Sequence, residues 1–253
     1  MYRALISDSM SALAREAFEQ RGIEVDERTG LSKEELAAAI ADYDGLAVRS
    51  TTKVTAEVLA ASSRLQVIGR AGIGVDTIDI AAATAKGIVV MNAPFGNAIT
   101  TAEHAVAMMF AVARQIGAAN ASTHAGKWEK SRFMGVELTG KCLGIIGCGN
   151  IGSIVAERAQ SLKIQVVAYD PYLTAERATD LGVEKLELDA LLTRADLISL
   201  HTPLTDTTRG IIDAAALAKT KRGVFIINCA RGGLIVEEDL KVALEAGHVS
   251  GAG

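Results

Sequence analysis

Only three cysteines, Cys142, Cys148 and Cys229, occur in the 253 residues. An odd number, each set in an apolar or glycine-rich run, does not make a disulfide framework. Buried, reduced thiols in a cytoplasmic protein are expected instead. No uninterrupted apolar stretch approaches the roughly 18 residues of a membrane span. The opening MYRALISDSM is an apolar run stopped at Asp8, with no signal-peptide core. Nor is there a basic block: 26 Lys and Arg and 30 Asp and Glu are spread along the chain, for a net charge of -4. A nucleic-acid groove and a membrane are therefore not expected partners, and no metal site is expected. What the chain does have is 49% hydrophobic residues and 24 glycines, enough for one large globular domain or two modest ones.

Short apolar runs recur: YRALIS at Tyr2, GLAVR at Gly45, LQVIGR at Leu65, GIVVMNAP at Gly87, CLGIIG at Cys142, IQVVAYD at Ile164, LISLHTP at Leu197 and VFIINCA at Val224. Continuous rather than alternating apolar runs suit parallel strands covered on both faces. Helical patterns lie between them. Ser32 and Glu35 have capping-box spacing, as do Thr100 and Glu103. VEEDLKVALEAG carries acids in its first turn and Gly247 at its expected C-cap. Strands alternating with helices predict α/β architecture with parallel sheets. The rhythm breaks once, in a long connection from TTAEHAVAMMFAVAR to ELTG. That break predicts two Rossmann-like parallel-sheet domains, residues 1–95 and 96–253, the second opening with the connecting helix. Met108, Met109 and Phe110 on that helix are either core or a dimer face.

Gly147-Cys148-Gly149-Asn150-Ile151-Gly152 is a GxGxxG. Alone it is a weak signal, but a strand at residues 143–146 precedes it, a helix at residues 153–159 follows, and a second strand ends at Asp170. Each glycine then has a physical task. Gly147 permits the tight turn, Gly149 admits a pyrophosphate to the backbone, and Gly152 lets helix and sheet approach. Asp170 at this distance accepts from both ribose hydroxyls and repels a 2′-phosphate, which favours NAD over NADP; its alternative reading is a turn former before Pro171. Two further strand ends carry reactive groups. Thr202 and Pro203 suit the nicotinamide side, and Arg231, before Gly232-Gly233, suits a carboxylate unless it is simply solvated.

The motifs VRSTTKVT, GRAGIGVDTID, NAPFGNAITTAEHAVAMM, GKWEKSRFMGVELTGKCLGIIGCGNIG, AYDP, HTPLT and INCARGGLIVEEDL, in that order, resemble the NAD-dependent D-2-hydroxyacid dehydrogenases over nearly the whole chain. The resemblance implies a flavodoxin-like substrate domain and a doubly wound NAD domain. It also implies that the helix from Thr101 packs against a partner subunit, giving a homodimer or homotetramer. Carried over by position, Arg231 holds the substrate carboxylate and C2 oxygen, and Arg49, Arg70 and Asn97 surround the substrate. Ile73, Asn150, Ile151, Asp170, Thr202, Pro203, Cys229 and Ala230 contact NAD. Arg49 and Arg70 favour a phosphorylated substrate, 3-phosphoglycerate, over glycerate, glyoxylate or lactate. A non-catalytic NAD-sensing relative is the rival reading, and Arg231 speaks against it. In the family a glutamate and then a histidine complete the site, and both are expected beyond Gly253. By the same comparison both sheets lack their last strands, and the 253 residues alone are expected to be inactive. His104, His124, His201 and His248 are not expected to replace the missing base.

Overall fold

A computed structural model describes residues 1–253, which divide into two compact units, Met1–Asn97 and Ala98–Gly253. In the first unit the chain runs β1 (Arg3–Ile6), α1 (Ala12–Glu19), β2 (Glu24–Glu27), α2 (Lys33–Ala39), β3 (Gly45–Val48), α3 (Ala56–Ala61), β4 (Val67–Arg70), α4 (Ile80–Ala85) and β5 (Val89–Asn92). Every strand pair is parallel, in the order β2-β1-β3-β4-β5. Both faces are covered. Leu5, Leu46, Val48 and Ile68 pack with Leu36, Ile40, Val58 and Leu59 on one side. Ile6, Val25 and Ala47 meet Ala14 and Phe18 on the other. This two-sided burial is why the strands read as continuous apolar runs.

The second unit opens with α5 (Ala98–Ala113) and α6 (Ile116–His124), followed by β6 (Cys142–Ile146), α7 (Asn150–Ser161), β7 (Gln165–Tyr169), α8 (Ala175–Asp180), β8 (Glu184–Lys185), α9 (Leu188–Arg194), β9 (Leu197–Leu200), α10 (Ala214–Lys219), β10 (Val224–Asn228), α11 (Glu237–Glu245) and β11 (Val249–Ala252). Its parallel sheet has the order β11-β10-β9-β6-β7-β8. This is the doubly wound arrangement, with the direction of winding reversing at β6. Ala102, Ala105, Met109, Val155, Ala156 and Ala159 pack on one face, and Leu191, Leu192, Leu217 and Ala243 on the other.

Several local expectations change. Thr100 and Glu103 form no capping box, because α5 begins at Ala98 and both residues lie inside it. Ser32 and Glu35 do form one: the Ser32 hydroxyl accepts from the Glu35 N–H at 3.2 Å, and the Glu35 carboxylate accepts from the Ser32 N–H at 2.8 Å. The helix expected at residues 153–159 is longer, starting at Asn150. α6 is an addition to the expected connection. It is separated from α5 by Gln115 at φ +53°, a left-handed residue that breaks the helical run. Of the three connecting-helix residues with two readings, Met109 is buried core, and Met108 and Phe110 are half-buried beside it. Cys142 and Cys148 are buried free thiols and Cys229 is half-buried.

Candidate functional site

The carboxyl ends of β6, β7, β9 and β10 gather the chemistry of the second unit. Gly147 ends β6 at φ +93°, and a Cβ there would stand 2.8 Å from the backbone carbon of His201. The turn therefore fits tightly beside the end of β9, where the His201 N–H donates to the Ile146 carbonyl at 2.8 Å. A Cβ on Gly152 would lie 2.1 Å from the Gly147 carbonyl oxygen, so the first turn of α7 rests directly on the loop. At Gly149 a Cβ would meet nothing within 4 Å. The space before the start of α7 is open, and the helix begins with neither a side-chain cap nor an acid in its first turn. An open, uncapped helix N-terminus reached across glycine is the cradle a pyrophosphate needs. A dinucleotide fits this chain on those grounds.

Asp170 follows β7. Its Oδ2 accepts from the Cys148 N–H and its Oδ1 from the Tyr172 N–H, each at 2.8 Å. The turn-forming reading of this residue holds, and the same carboxylate is fixed against the glycine loop. Each oxygen still has a lone pair for a ribose hydroxyl. Burial, with the neighbouring Asp170 charge, pushes the Cys148 thiol up to about 11, so it stays protonated and unreactive. Asn150 and Ile151 open α7, with Ile151 turned partly into the core.

At the end of β9, burial holds the His201 imidazole down to about 4. Its Nε2 lies 2.9 Å from the Ser199 hydroxyl, while Nδ1 is buried without a hydrogen-bond partner. The ring is neutral. Thr202 and Pro203 follow, and the Pro203 carbonyl accepts from the Thr208 hydroxyl at 2.6 Å. After β10 comes Asn228, whose side chain braces the turn that carries Cys229, Ala230 and Arg231. Asn228 Oδ1 accepts from the Ala230 N–H at 3.1 Å, and Nδ2 donates to the Arg231 carbonyl at 2.8 Å. Arg231 itself is half-buried, with Nη1 donating to the Ala230 carbonyl at 2.9 Å. Cys229 and Asn228 line a cavity of about 470 Å³ together with Thr100, Thr101, His104 and Met108 of α5. The sequence marked out neither the Asn228 brace nor a place for Thr100 and Thr101 in this cavity. A short polar side chain directly before the turn was the available signal for Asn228.

In the first unit, Arg49 follows β3 and Arg70 ends β4. Arg49 is exposed, with Nη1 donating to the Ser9 carbonyl at 3.1 Å. The Arg70 side chain is only 8% exposed; its Nε donates to the Arg49 carbonyl at 3.0 Å, and its Nη1 lies 3.8 Å from Asp76. The two arginines are thus brought together, Arg70 supporting Arg49. Ile73 is half-buried, and its carbonyl accepts from Asn92 Nδ2 at 2.6 Å. Asn97 is exposed at the end of this unit.

Residues 106–253 match the family described as D-isomer specific 2-hydroxyacid dehydrogenase, NAD binding domain. The chain is 47% identical over 250 residues to the D-3-phosphoglycerate dehydrogenase of Archaeoglobus fulgidus, covering 99% of this chain and 47% of that one. It is likewise 47% identical to the protein of that name from Homo sapiens, with the same coverage. The chain thus spans about half the length of these relatives. Among solved structures, a glyoxylate reductase from Paecilomyes thermophila superposes with a TM-score of 0.92 at 30% identity, covering 100% of this chain and 80% of that one. A D-lactate dehydrogenase from Aquifex aeolicus, complexed with NAD and lactic acid, superposes at 0.89 with 26% identity, covering 99% and 75%.

Proposed function

The chain belongs to the D-isomer specific 2-hydroxyacid dehydrogenase family, and from that premise we propose that it is part of an enzyme oxidising 3-phospho-D-glycerate to 3-phosphohydroxypyruvate, the opening step of phosphorylated L-serine synthesis. The cofactor is NAD, as the matched NAD-binding domain has it. When bound, NAD would supply the hydride acceptor for C2 of the substrate. The observation that carries the proposal is the shared carboxyl edge of one sheet, with the glycine turn after β6, Asp170 after β7 and the braced Arg231 after β10.

Each residue has a definite task in this reading. The backbone N–H groups at the start of α7 meet the pyrophosphate, and Asp170 takes the ribose hydroxyls. Arg231 forks onto the substrate carboxylate and C2 oxygen, where a planar, permanently charged donor pair both orients the acid and stabilises a developing carbonyl. Arg49 is proposed to meet an anionic end of the substrate, supported by Arg70 through its bond to the Arg49 carbonyl, and Asn97 is proposed as a further substrate contact. Ile73, Asn150, Ile151, Thr202, Pro203, Cys229 and Ala230 are proposed to line the cofactor. The hydroxyl proton needs a base. His201, held near 4 by burial, is a poor acceptor at neutral pH. His248 bonds Thr220 and the Leu217 carbonyl ahead of β11, at the amino end of the sheet. The resemblance assigns this proton to a histidine–glutamate pair outside residues 1–253.

The names of the relatives favour 3-phosphoglycerate, and glycerate, lactate and glyoxylate are the alternatives to test. NADH formation or consumption with each, in a chain containing residues 1–253 and the family's histidine, distinguishes them. Highest kcat/KM for an unphosphorylated acid would overturn the substrate proposal. A cytoplasmic location is proposed from the free thiols; no helix is long and apolar enough to cross a membrane. A homo-oligomer is proposed from α5 and α6, where Phe110, Arg114, Ile116 and Ala119 line a groove and Ile116 is 52% exposed.

A further inference from the structure

Asp8 is 5% exposed, and the chemistry proposed above makes no use of its carboxylate. Its place in the fold is informative. β1 and β3 are the neighbours at which winding reverses in the first sheet, and in open α/β sheets a ligand meets the strand ends at such a point. Asp8 lies two residues past the end of β1, and Arg49 follows β3 directly. Asp8 Oδ2 accepts from the Arg49 N–H at 2.5 Å and from the Thr52 N–H at 3.2 Å. Its Oδ1 accepts from the Thr52 hydroxyl at 2.9 Å, and that hydroxyl is also 3.1 Å from the Ser7 hydroxyl. The carbonyl of Arg49 meanwhile accepts from Arg70 Nε at 3.0 Å.

Both peptide groups flanking the Arg49 Cα are therefore held, one by Asp8 and one by Arg70. The side chain that leaves this fixed backbone is exposed. Three donors converging on one buried carboxylate offset its desolvation and fix the loop more firmly than neutral partners would. A long arginine loses much rotamer freedom when it grips a ligand. A rigid origin for that side chain limits the further freedom that must be lost.

We infer that Asp8, with Thr52, is a positioning residue for substrate binding: it sets the backbone from which Arg49 reaches an anionic group of the 2-hydroxy acid. The inference rests on the proposed role of Arg49 as a substrate ligand. It differs from a general packing role in one measurable respect, since the effect of Asp8 on affinity must pass through Arg49.

The test is a double-mutant cycle on the full chain, titrating 3-phospho-D-glycerate calorimetrically into wild type, Asp8→Ala, Arg49→Ala and the double variant, with NAD titrated as a second readout. Asp8→Ala is expected to weaken 3-phosphoglycerate about tenfold, as expected for two amides left without their charged acceptor, and to leave NAD affinity unchanged. On the Arg49→Ala background the same change is expected to cost less than about twofold, the signature of coupled residues. Asp8→Asn keeps an acceptor for the two amides, and the Thr52 hydroxyl can reverse to accept from its amide, so binding should return to within about threefold. If Asp8→Ala does not fold, Thr52→Val carries the same cycle, with an expected loss of about threefold from removing the hydroxyl bond to Asp8. A loss in Arg49→Ala without one in Asp8→Ala or Thr52→Val overturns the inference alone. Equal losses from Asp8→Ala on both backgrounds, or from Asp8→Asn and Asp8→Ala, also overturn it. Undiminished binding by Arg49→Ala, or no binding by wild type, overturns the substrate reading and the inference with it.

Discussion

Gly152 is the position least able to change, because the atom a side chain would strike is the backbone oxygen of Gly147, 2.1 Å away. Gly152→Ala should cost about 3 kcal/mol or more by overpacking, and NAD affinity should fall because the loop that meets the pyrophosphate must move. Calorimetric titration with a parallel urea melt checks both; unchanged values in both would refute the close approach. Asp170→Ala should reduce NAD affinity about tenfold by loss of a charged acceptor for the ribose, with NADP less affected because a repelling charge has gone. An equal loss for the two nucleotides would mean that Asp170 only shapes its turn. His201 gives a pH signature. Its pKa falls from 6.5 to about 4 on folding, so the unfolded chain binds the proton more readily and stability drops as pH falls through that window. The loss approaches roughly 3 kcal/mol below pH 4. Urea midpoints from pH 7 to pH 4.5 should therefore decline less steeply in His201→Gln than in wild type. Parallel curves would assign the wild-type slope to other groups.

The elements differ in how far the sequence alone reveals them. Eight strands were legible as apolar runs; inside the sheets burial on both faces produces the run, as in Leu143, Ile145 and Ile146, whereas the edge strand β5 keeps it with Val89 and Met91 exposed. β2, β8 and β11 were not. All three are edge strands; β2 and β8 read EVDE and EK, and of those six residues only Val25 is buried, while β11 reads VSGA and buries only Val249. What holds the acids of β2 in place comes from elsewhere in the chain: Asp26 accepts from Arg3 at 2.8 Å and from the Tyr43 hydroxyl at 2.7 Å. α6 escaped notice because IGAANASTH has no apolar stripe and buries no residue. The Thr100–Glu103 spacing misled because residues three apart share a helix face inside a helix as well as at its start. At the site, the glycine turn and Asp170 were readable as a local pattern. The Asp8 and Asn228 braces depend on which oxygen meets which amide, and no spacing reveals that. The capping box that did form offers a direct measure: Ser32→Ala should destabilise the first unit by about 1 kcal/mol, read as a lower urea midpoint. Ser32→Asn, a good cap, should recover most of it. No loss in Ser32→Ala would mean that α2 is held by its packing alone.

On the scale of the whole molecule, two parallel sheets of different winding carry two kinds of residue. Arg49 and Arg70 sit in the first, and the nucleotide turn and Arg231 sit in the second. The surface of α5 and α6 is the one proposed for assembly. Ile116 is 52% exposed and Met134 77%, and each helps line a groove that also includes Phe110 and Arg114. If a second copy covers this surface, Ile116→Lys with Met134→Lys should convert an oligomer to monomer in sedimentation velocity while leaving the circular dichroism unchanged. A wild-type chain that sediments as a monomer would sink the proposal.

The position of β6 has a consequence during synthesis. It is the innermost strand at the winding reversal, and one of its two neighbours is β9. The amide of Cys142 waits for the carboxylate of Asp196, 54 residues further on. At about 5–20 residues per second that partner emerges roughly 3 to 10 s later. Through that interval the growing chain presents an apolar strand with one edge unpaired, and loop closure must precede any gain from pairing it. The strand that carries the nucleotide turn is thus the one that depends longest on the ribosome or a chaperone to keep it from the wrong partner.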